Sequence, residues 1–501
     1  MSQRSVDPDF LALPLRACAD AAIDRGRQLG ASHVDVRVER TRTGLLNLRD
    51  GLLETQQDEL VTGIGVRVIV DGAWGFASTP GISPDAAARV AEQAVELARL
   101  SKPLATEFVS LVDEPVYTDV QWVSEYAVDP FDVPAAERLG LLEEYSHRLD
   151  KGEHVNHTSA YAMYVKEQKF YADSRGTSTT QQRVRTHGAL EATSLGEFGM
   201  ESMRTLAQPA GFGWEWMTGG VFDWNTELVE LPELLLEKTK SPSVTAGKYT
   251  LVIHPSNLWL TIHESIGHAT ELDRAIGYEA NYAGTSFATP DKLGTLQYGS
   301  KLMHVTGDRL VPHGLSTVGY DDEGVAAQQW DIVKDGVLVG YQTDRRIAAR
   351  VGQSRSAGCA FADSPAHVPI QRMPNVSLQP DPNGPDLKEL IAGVEDGIFI
   401  KGDKSWSIDM QRYNFQFTGQ QFHRIKNGEL VGQLRDVAYQ ATTTEFWNAM
   451  SRVGGPSTYV LGGAFNCGKG QPGQIAAVSH GCPAAVFENI NILNTVSEAS
   501  A

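Results

Sequence analysis

Residues 33–40 read H-V-D-V-R-V-E-R, and residues 61–70 read V-T-G-I-G-V-R-V-I-V. Apolar and polar side chains alternate in both, the period of a strand with two unlike faces. Between and after them lie R-D-G at 49–51 and D-G at 71–72, the residues that tight hairpin turns favour. Residues 33–78 are therefore expected to form an antiparallel sheet. Around this block the period changes. F-L-A-L-P-L-R-A-C-A-D-A-A-I-D-R-G-R-Q-L-G, residues 10–30, reads as one amphipathic helix ending near Gly30, with Cys18 among alanines as a packed thiol. P-D-A-A-A-R-V-A-E-Q-A-V-E-L-A-R-L reads as a second helix and Pro134–Leu149 as a third, with strands again over Val155–Ala192. Helices packed on an antiparallel sheet define an α+β domain.

From Glu237 to Lys248 the text turns small, polar and turn-rich, E-K-T-K-S-P-S-V-T-A-G-K. This predicts an N-terminal α+β domain over 1–240 and a C-terminal, mostly β domain over 245–501. In the second half, I-V-K-D-G-V-L-V-G-Y and R-I-K-N-G-E-L-V-G read as hairpins with D-G and N-G turns. The 501 residues are enough for two sizeable cores. A net charge of −19, spread along the chain, argues against a nucleic-acid or anionic-membrane partner. No apolar run approaches the roughly 18 residues that a bilayer requires, and the N-terminus carries no apolar signal core. Four cysteines in so long a chain do not make a disulfide framework. The expected location is a reducing cytoplasm, where thiols remain free for metals.

One stretch in the second half carries chemistry: T-I-H-E-S-I-G-H-A-T-E, residues 261–271. Zinc-peptidase helices usually read H-E-x-x-H, and here the histidines are one residue further apart. From composition, H-E-x-x-x-H arises by chance roughly 0.02 times in a chain of this length. The apolar L-W-L-T-I before it carries the helix into a core, where His263 and His268 need partners, and a metal is one. Residues four apart on an ideal helix sit about 40° apart around the axis, and residues five apart about 140°. Convergence of the two imidazoles thus predicts a π-bulge between them, with Gly267 at the irregularity and the N-cap at Ser256 or Asn257. A catalytic zinc needs a third protein ligand, and Glu271, Asp273, Cys467 and Cys482 all remain open on spacing alone. Glu264 follows the first histidine, where a carboxylate can take a proton from an attacking water and pass it to the leaving amine. His254, His304, Tyr320 and His480 are candidate oxyanion donors.

These segments together resemble the TldD/PmbA family of zinc metallopeptidases. H-E-S-I-G-H-A-T-E-L-D (263–273) is similar to the family's signature, Y-D-D-E-G-V-A-A-Q-Q (320–329) to its D-D-E-G block, and D-G-V-L-V-G-Y-Q-T-D-R to the hairpin after it. P-I-Q-R-M-P-N-V-S-L (369–378) resembles its R-M-x-N strand, and G-A-F-N-C-G-K-G-Q its C-G-K turn. Leu272 departs from the glycine usual after the glutamate at Glu271. The resemblance implies one zinc ion held by His263, His268 and Cys467, with Glu264 as catalytic base. It implies hydrolysis of unfolded or short peptides, held as an added strand inside a dimer to which the N-terminal domain contributes. The expected partner is a homologous subunit lacking the histidines, or otherwise a second copy. Hydrolysis of small amides and non-catalytic peptide binding are the competing readings.

Overall fold

The computed structural model describes residues 5–150, 154–196 and 199–496. The hairpin turns decide its N-terminal half. Asp50 and Gly51, and again Asp71 and Gly72, all take positive φ (50°, 74°, 49° and 77°), the paired left-handed geometry that a two-residue turn between twisted strands needs. They join β1 (His33–Arg49) to β2 (Leu52–Val70) and β2 to β3 (Ala73–Thr79). β1 pairs on its other side with β5 (His157–Asp173), and β5 with β6 (Ser178–Gly196). β4 (Val120–Val123) adds in parallel to β6, and β7 (Gly199–Arg204) also pairs with β6. The result is a seven-stranded sheet, antiparallel except for β4.

One face of this sheet is apolar. Val34, Val36, Val38, Ile64, Val66 and Val68 share a core with α2 (Leu15–Gln28) and α3 (Pro84–Ser101). Ser83 caps α3, accepting from Ala86 N, and Pro84 fills its first position. The single helix expected over 10–30 is divided into α1 (Pro8–Leu11) and α2, because Pro14 interrupts it; Gly30, at φ 92°, closes the second piece. α4 (Ala135–Leu149) and α5 (Trp224–Lys240) cover a second cluster around Leu46, Tyr164 and Leu190. The sequence reading has no counterpart to most of α5. The helix carries Pro232 in its interior, and its apolar face includes Trp224, Leu228, Leu231 and Leu235.

The other face of the sheet is charged yet buried. Asp35, Arg37, Glu39, Arg67, Glu167, Lys169, Arg183 and Arg185 are all buried, and Arg37, Arg67, Lys169 and Arg183 each donate to a residue of the C-terminal half. Arg67 pairs with Glu323, and Lys169 with Asp322. The alternation of residues 33–40 thus separates a helix-covered face from a lobe-covered one, rather than inside from solvent.

After α5 the chain runs through Ser241–Ala246 into β8 (Gly247–Ile253). β8 pairs with Asp396–Ile408 on one side and Ala485–Asn494 on the other. Val437–Thr442 and Asn414–Lys426 continue the sheet, and the latter pairs back to Asp396–Ile408, closing a ring of five strands. Asn427–Gly428 and Asp335–Gly336 form the two expected hairpin turns, all at positive φ. The protein is therefore α+β, with its C-terminal half rich in β-structure. No helix among the described residues is long and apolar enough to cross a membrane.

Candidate metal centre

β8 leads directly into α6 (Pro255–Ile262), every residue of which is buried. His254 is its N-cap, accepting from Ser256 N, with Pro255 at the first position. The cap thus lies two residues before Ser256 and three before Asn257. Both of those instead face inward: Ser256 Oγ accepts from Gly402 N, and Asn257 donates to the Gly402 and Thr418 carbonyls.

α6 then widens. His263–Gly267 is a π-helical turn in which His268 N–H donates to His263 C=O, five residues back. The bulge lies where the angular argument puts it. Its extra residue is anchored on both sides: Trp447 Nε1 donates to Ser265 Oγ at 3.0 Å, and Tyr298 Oη–H to Ser265 C=O. Gly267 belongs there for space rather than for backbone freedom. Its φ is an ordinary −52°, but a Cβ would sit 2.6 Å from Met373 Sδ.

The bulge brings His263 and His268 within reach of Cys467, on the hairpin Val460–Lys469/Gln474–Cys482. The three donor atoms lie within 4.8 Å of one another, and all three residues are buried. His268 Nε2 is 3.5 Å from Cys467 Sγ. Hydrogen bonds fix which ring atoms are free. His480 Nδ1–H donates to the Val376 carbonyl at 2.8 Å, so its Nε2 accepts from His263 Nδ1–H at 2.7 Å. His263 Nε2 keeps its lone pair. His268 Nδ1–H donates to Glu271 Oε2 at 2.8 Å, so Nε2 is again the free atom. Carboxylate or imidazole behind each imidazole is the arrangement that orients metal-ligating histidines.

The charges agree with a cation site. Burial lowers the pKa of His263 and takes that of His480 far down, so both rings are neutral at neutral pH. Burial acts to raise Cys467, but His268 and then Arg372 outweigh it, and the thiol falls below its usual value. Burial would likewise raise Glu271, yet Lys469 and His268 hold it well below the carboxylate range. Lys469 Nζ sits 3.1 Å from Glu271 and 2.8 Å from Asp273, while Arg274 joins Glu271 to Glu279. Glu264 is also buried. Burial acts to raise its pKa, but the charges around it, His268 and His263 when protonated and then Arg412, hold it below the usual value, and Arg412 Nη1 donates to its Oε2 at 2.7 Å. The donor set, two imidazole nitrogens and a thiol with free lone pairs turned to one point, fits a zinc-sized cation with borderline-soft preferences.

The other sequence candidates lie elsewhere. Glu271 and Asp273 are engaged by His268 and Lys469, behind the three donors. Cys482 is wholly buried with its thiol 3.7 Å from Pro255 O, and is outside the cluster. His304 stands beside the exposed Asp335, and Tyr320 lines a cavity against the N-terminal sheet. Only His480 touches the centre, as the support of His263. Sequence reasoning missed Arg412, Arg372 and Lys469. Lys469 could have been found from its spacing, two residues beyond Cys467 and so on the same face of the strand. Arg372 lies in the R-M-x-N segment, with its guanidinium donating to Cys467 C=O. Arg412 has no local signal; it sits at φ 61° in a turn held by the Asp409 side chain.

The fold and this donor cluster define the class, an α+β chain with a buried candidate metal centre. Residues 246–494 match the family model of the PmbA/TldA metallopeptidase C-terminal domain, and residues 34–98 match that of PmbA/TldA metallopeptidase domain 1. The chain belongs to the TldD/PmbA metallopeptidase family. A "Metalloprotease" of Methanothermobacter thermautotrophicus is 27% identical over 98% of this chain and 100% of its own length. A "Zinc metalloprotease TldD homolog" of Saccharolobus solfataricus is 24% identical, over 92% of this chain and 96% of that protein. Among solved structures, TldE from Thermococcus kodakarensis superposes with a TM-score of 0.72 at 16% identity, covering 95% of this chain and 99% of that one, a likeness of fold.

Proposed function

We propose that this chain is a zinc-dependent peptidase acting on unfolded or short peptides, with His263, His268 and Cys467 as metal ligands and Glu264 as catalytic base. The observation that carries the reading is the orientation of three buried lone-pair donors toward one point, each imidazole's other nitrogen being tied by a hydrogen bond. A zinc ion held by His263, His268 and Cys467 would supply Lewis-acid polarisation of the scissile carbonyl and would acidify the attacking water. The chain does the rest. Glu264, an ionised carboxylate beside the first ligand, accepts a proton from the attacking water and delivers it to the leaving nitrogen. Arg412 holds that carboxylate through one oxygen, leaving the other for the water. His480 and Glu271 keep the two imidazoles in the ligating tautomer.

With its full H-E-x-x-x-H motif, the chain takes the active, TldD-like role, paired with a homologous subunit lacking the histidines. The naming of one fold neighbour as TldE supports such a pairing. The N-terminal domain, residues 1–240, contributes to that dimer and to the channel for peptide, and residues 245–501 form the metallopeptidase domain. The cytoplasm is the expected compartment, since four buried free thiols suit reducing conditions.

The test is turnover of unstructured peptides and of small amides by the parent and by Glu264→Gln, with metal content measured in both. Peptide cleavage should fall by at least ~10²–10⁴-fold with metal unchanged and should vanish with chelator. Cleavage of small amides without cleavage of peptides would select the other hydrolase reading. Near-parental turnover in Glu264→Gln would refute the base.

A further inference from the structure

The charged face of the N-terminal sheet contains a group that none of the chemistry above uses. Arg309 follows the C-terminal lobe's strand Val305–Asp308 and is 2% exposed, yet among the described residues its guanidinium makes no ion pair and no hydrogen bond. An arginine cannot shed its proton at any relevant pH, so this is a buried cation without a partner, which proteins rarely tolerate. Asp322 and, more strongly, Asp321 act on that charge through space, but Asp321 forms no ion pair with it. Asp321 accepts backbone N–H groups from Glu323, Val325 and Ala360 instead.

Arg309 lines a cavity closed from the N-terminal side by Lys169 of β5, Gln181 and Arg183 of β6, and Trp122 of β4. Two carboxylates, Glu167 and Asp322, also line it, and both are already engaged. Glu167 is bound by Arg183 and Arg185, and Asp322 by Lys169 and Arg37. The cavity-lining charges and their direct ion partners comprise five cations (Lys169, Arg183, Arg309, Arg185, Arg37) and three anions (Glu167, Asp322, Glu39). A chain with net charge −19 thus keeps a buried excess of two positive charges at the junction of its lobes. The cavity measures about 10 Å³, room for roughly one water-sized sphere. It shares the lining residues Trp122 and Arg183 with a wider cleft of about 140 Å³, lined also by Arg185 and His313.

We propose that this cavity is a binding site for a small monovalent anion of halide size, held by Arg309 with Arg183 and Lys169. Size selects the occupant. A halide is the smallest of the common anions and, being spherical, accepts N–H donors from all sides, whereas a carboxylate, phosphate or sulfate is bulkier and needs donors aimed at each oxygen, so a tight cavity favours the single-atom ion. Arg309 brings a full guanidinium of unused donors, and Arg183 has N–H groups beyond those that hold Glu167 and Leu315 C=O. Because Arg183 and Lys169 belong to the sheet and Arg309 to the other lobe, a bound anion would clamp the two lobes together. The site is independent of the metal centre and of any peptidase activity.

The test is thermal unfolding of the full chain in sodium chloride, bromide, gluconate and sulfate at matched ionic strength. Chloride and bromide should raise Tm by a few degrees in a saturable way, and gluconate and sulfate should not. In Arg309→Leu the halide response should disappear. That variant should melt in gluconate no lower than the parent, because the substitution removes an uncompensated buried charge. Bromide-soaked crystals of the parent should show an anomalous peak within hydrogen-bond distance of Arg309, a measurement that does not depend on the variant folding. Equal Tm in all four salts with no bromide peak would overturn the proposal. So would an undiminished halide response in Arg309→Leu, or an equal shift with sulfate.

Discussion

Two buried clusters in this protein are incomplete in opposite senses. At the candidate metal centre, two imidazole nitrogens and a thiol lie within 4.8 Å of one another, and their one mutual contact is Cys467 Sγ to His268 Nε2 at 3.5 Å. Between the lobes, the Arg309 guanidinium presents donors with no acceptor. Each cluster is backed by groups that are fully engaged: Glu271, Lys469 and His480 behind the ligands, and Glu167, Asp322 and Arg37 around the cavity. Buried polar groups are almost always paired. The two clusters therefore differ in what would complete them: a cation for the lone pairs of the first, an anion for the Arg309 donors of the second.

The comparison breaks most visibly at Asp35, where the interface is matched rather than deficient. Asp35 pairs with Arg67 at 2.8 Å, and Arg67 in turn reaches Glu323. Asp35→Asn should therefore cost about 3 kcal/mol at pH 7, while Arg309→Leu costs nothing. The pH dependence has a definite sign. Burial acts to raise the Asp35 carboxyl, but Arg67 and His33 hold it down at about 2. A depressed carboxylate contributes its stability above its unfolded value of about 4 and loses it as pH falls toward 2. Denaturant titrations should thus show the parent and Asp35→Asn converging across that window. A gap that stays constant down to pH 2 would mean that Asp35 acts by packing alone.

Behind the proposed metal ligands, Glu271→Gln keeps a hydrogen-bond acceptor for His268 Nδ1–H but removes the charge that Lys469 and Arg274 compensate. Zinc affinity should drop by roughly 10–100-fold, read by competition with a chromophoric chelator. Unchanged affinity would make Glu271 a partner of Lys469 only. The smallest effect concerns the bulge. Gly267→Ala puts a methyl group against Met373 Sδ. It should cost about 1–2 kcal/mol, toward the low end for overpacking because the thioether can move. Met373→Ala in the same chain should recover part of that loss, and no recovery would place the strain elsewhere.

These cases show how far the amino-acid order alone reaches. The D-G and N-G turns and the two-residue period made the hairpins and the α+β class legible, because both are local. The π-bulge was legible too, since an angle of about 140° on an ideal helix forbids what two histidines must do. Pro14 divides a helix that its apolar pattern would have continued, and α5 went unread around its internal Pro232. The charged face of β1 could not be assigned from its pattern. A polar face under a second lobe looks the same in sequence as one under water. The proposed third ligand was not legible from spacing, because Cys467 arrives from 199 residues away on another hairpin; only the family resemblance singled it out. Arg412 and Arg309 carry no local signal, since what distinguishes them is which groups meet them after folding.

The account rests on the donor set, and zinc K-edge absorption spectroscopy of the zinc-loaded protein tests it most directly. For the parent, the prediction is a nitrogen shell near 2.0–2.1 Å from two imidazoles together with one sulfur near 2.3 Å. In Cys467→Ala the sulfur shell and most of the bound zinc should be lost, and in Cys482→Ala both should persist. A parent spectrum without sulfur, or equal zinc content in Cys467→Ala and the parent, would contradict the assignment of this centre.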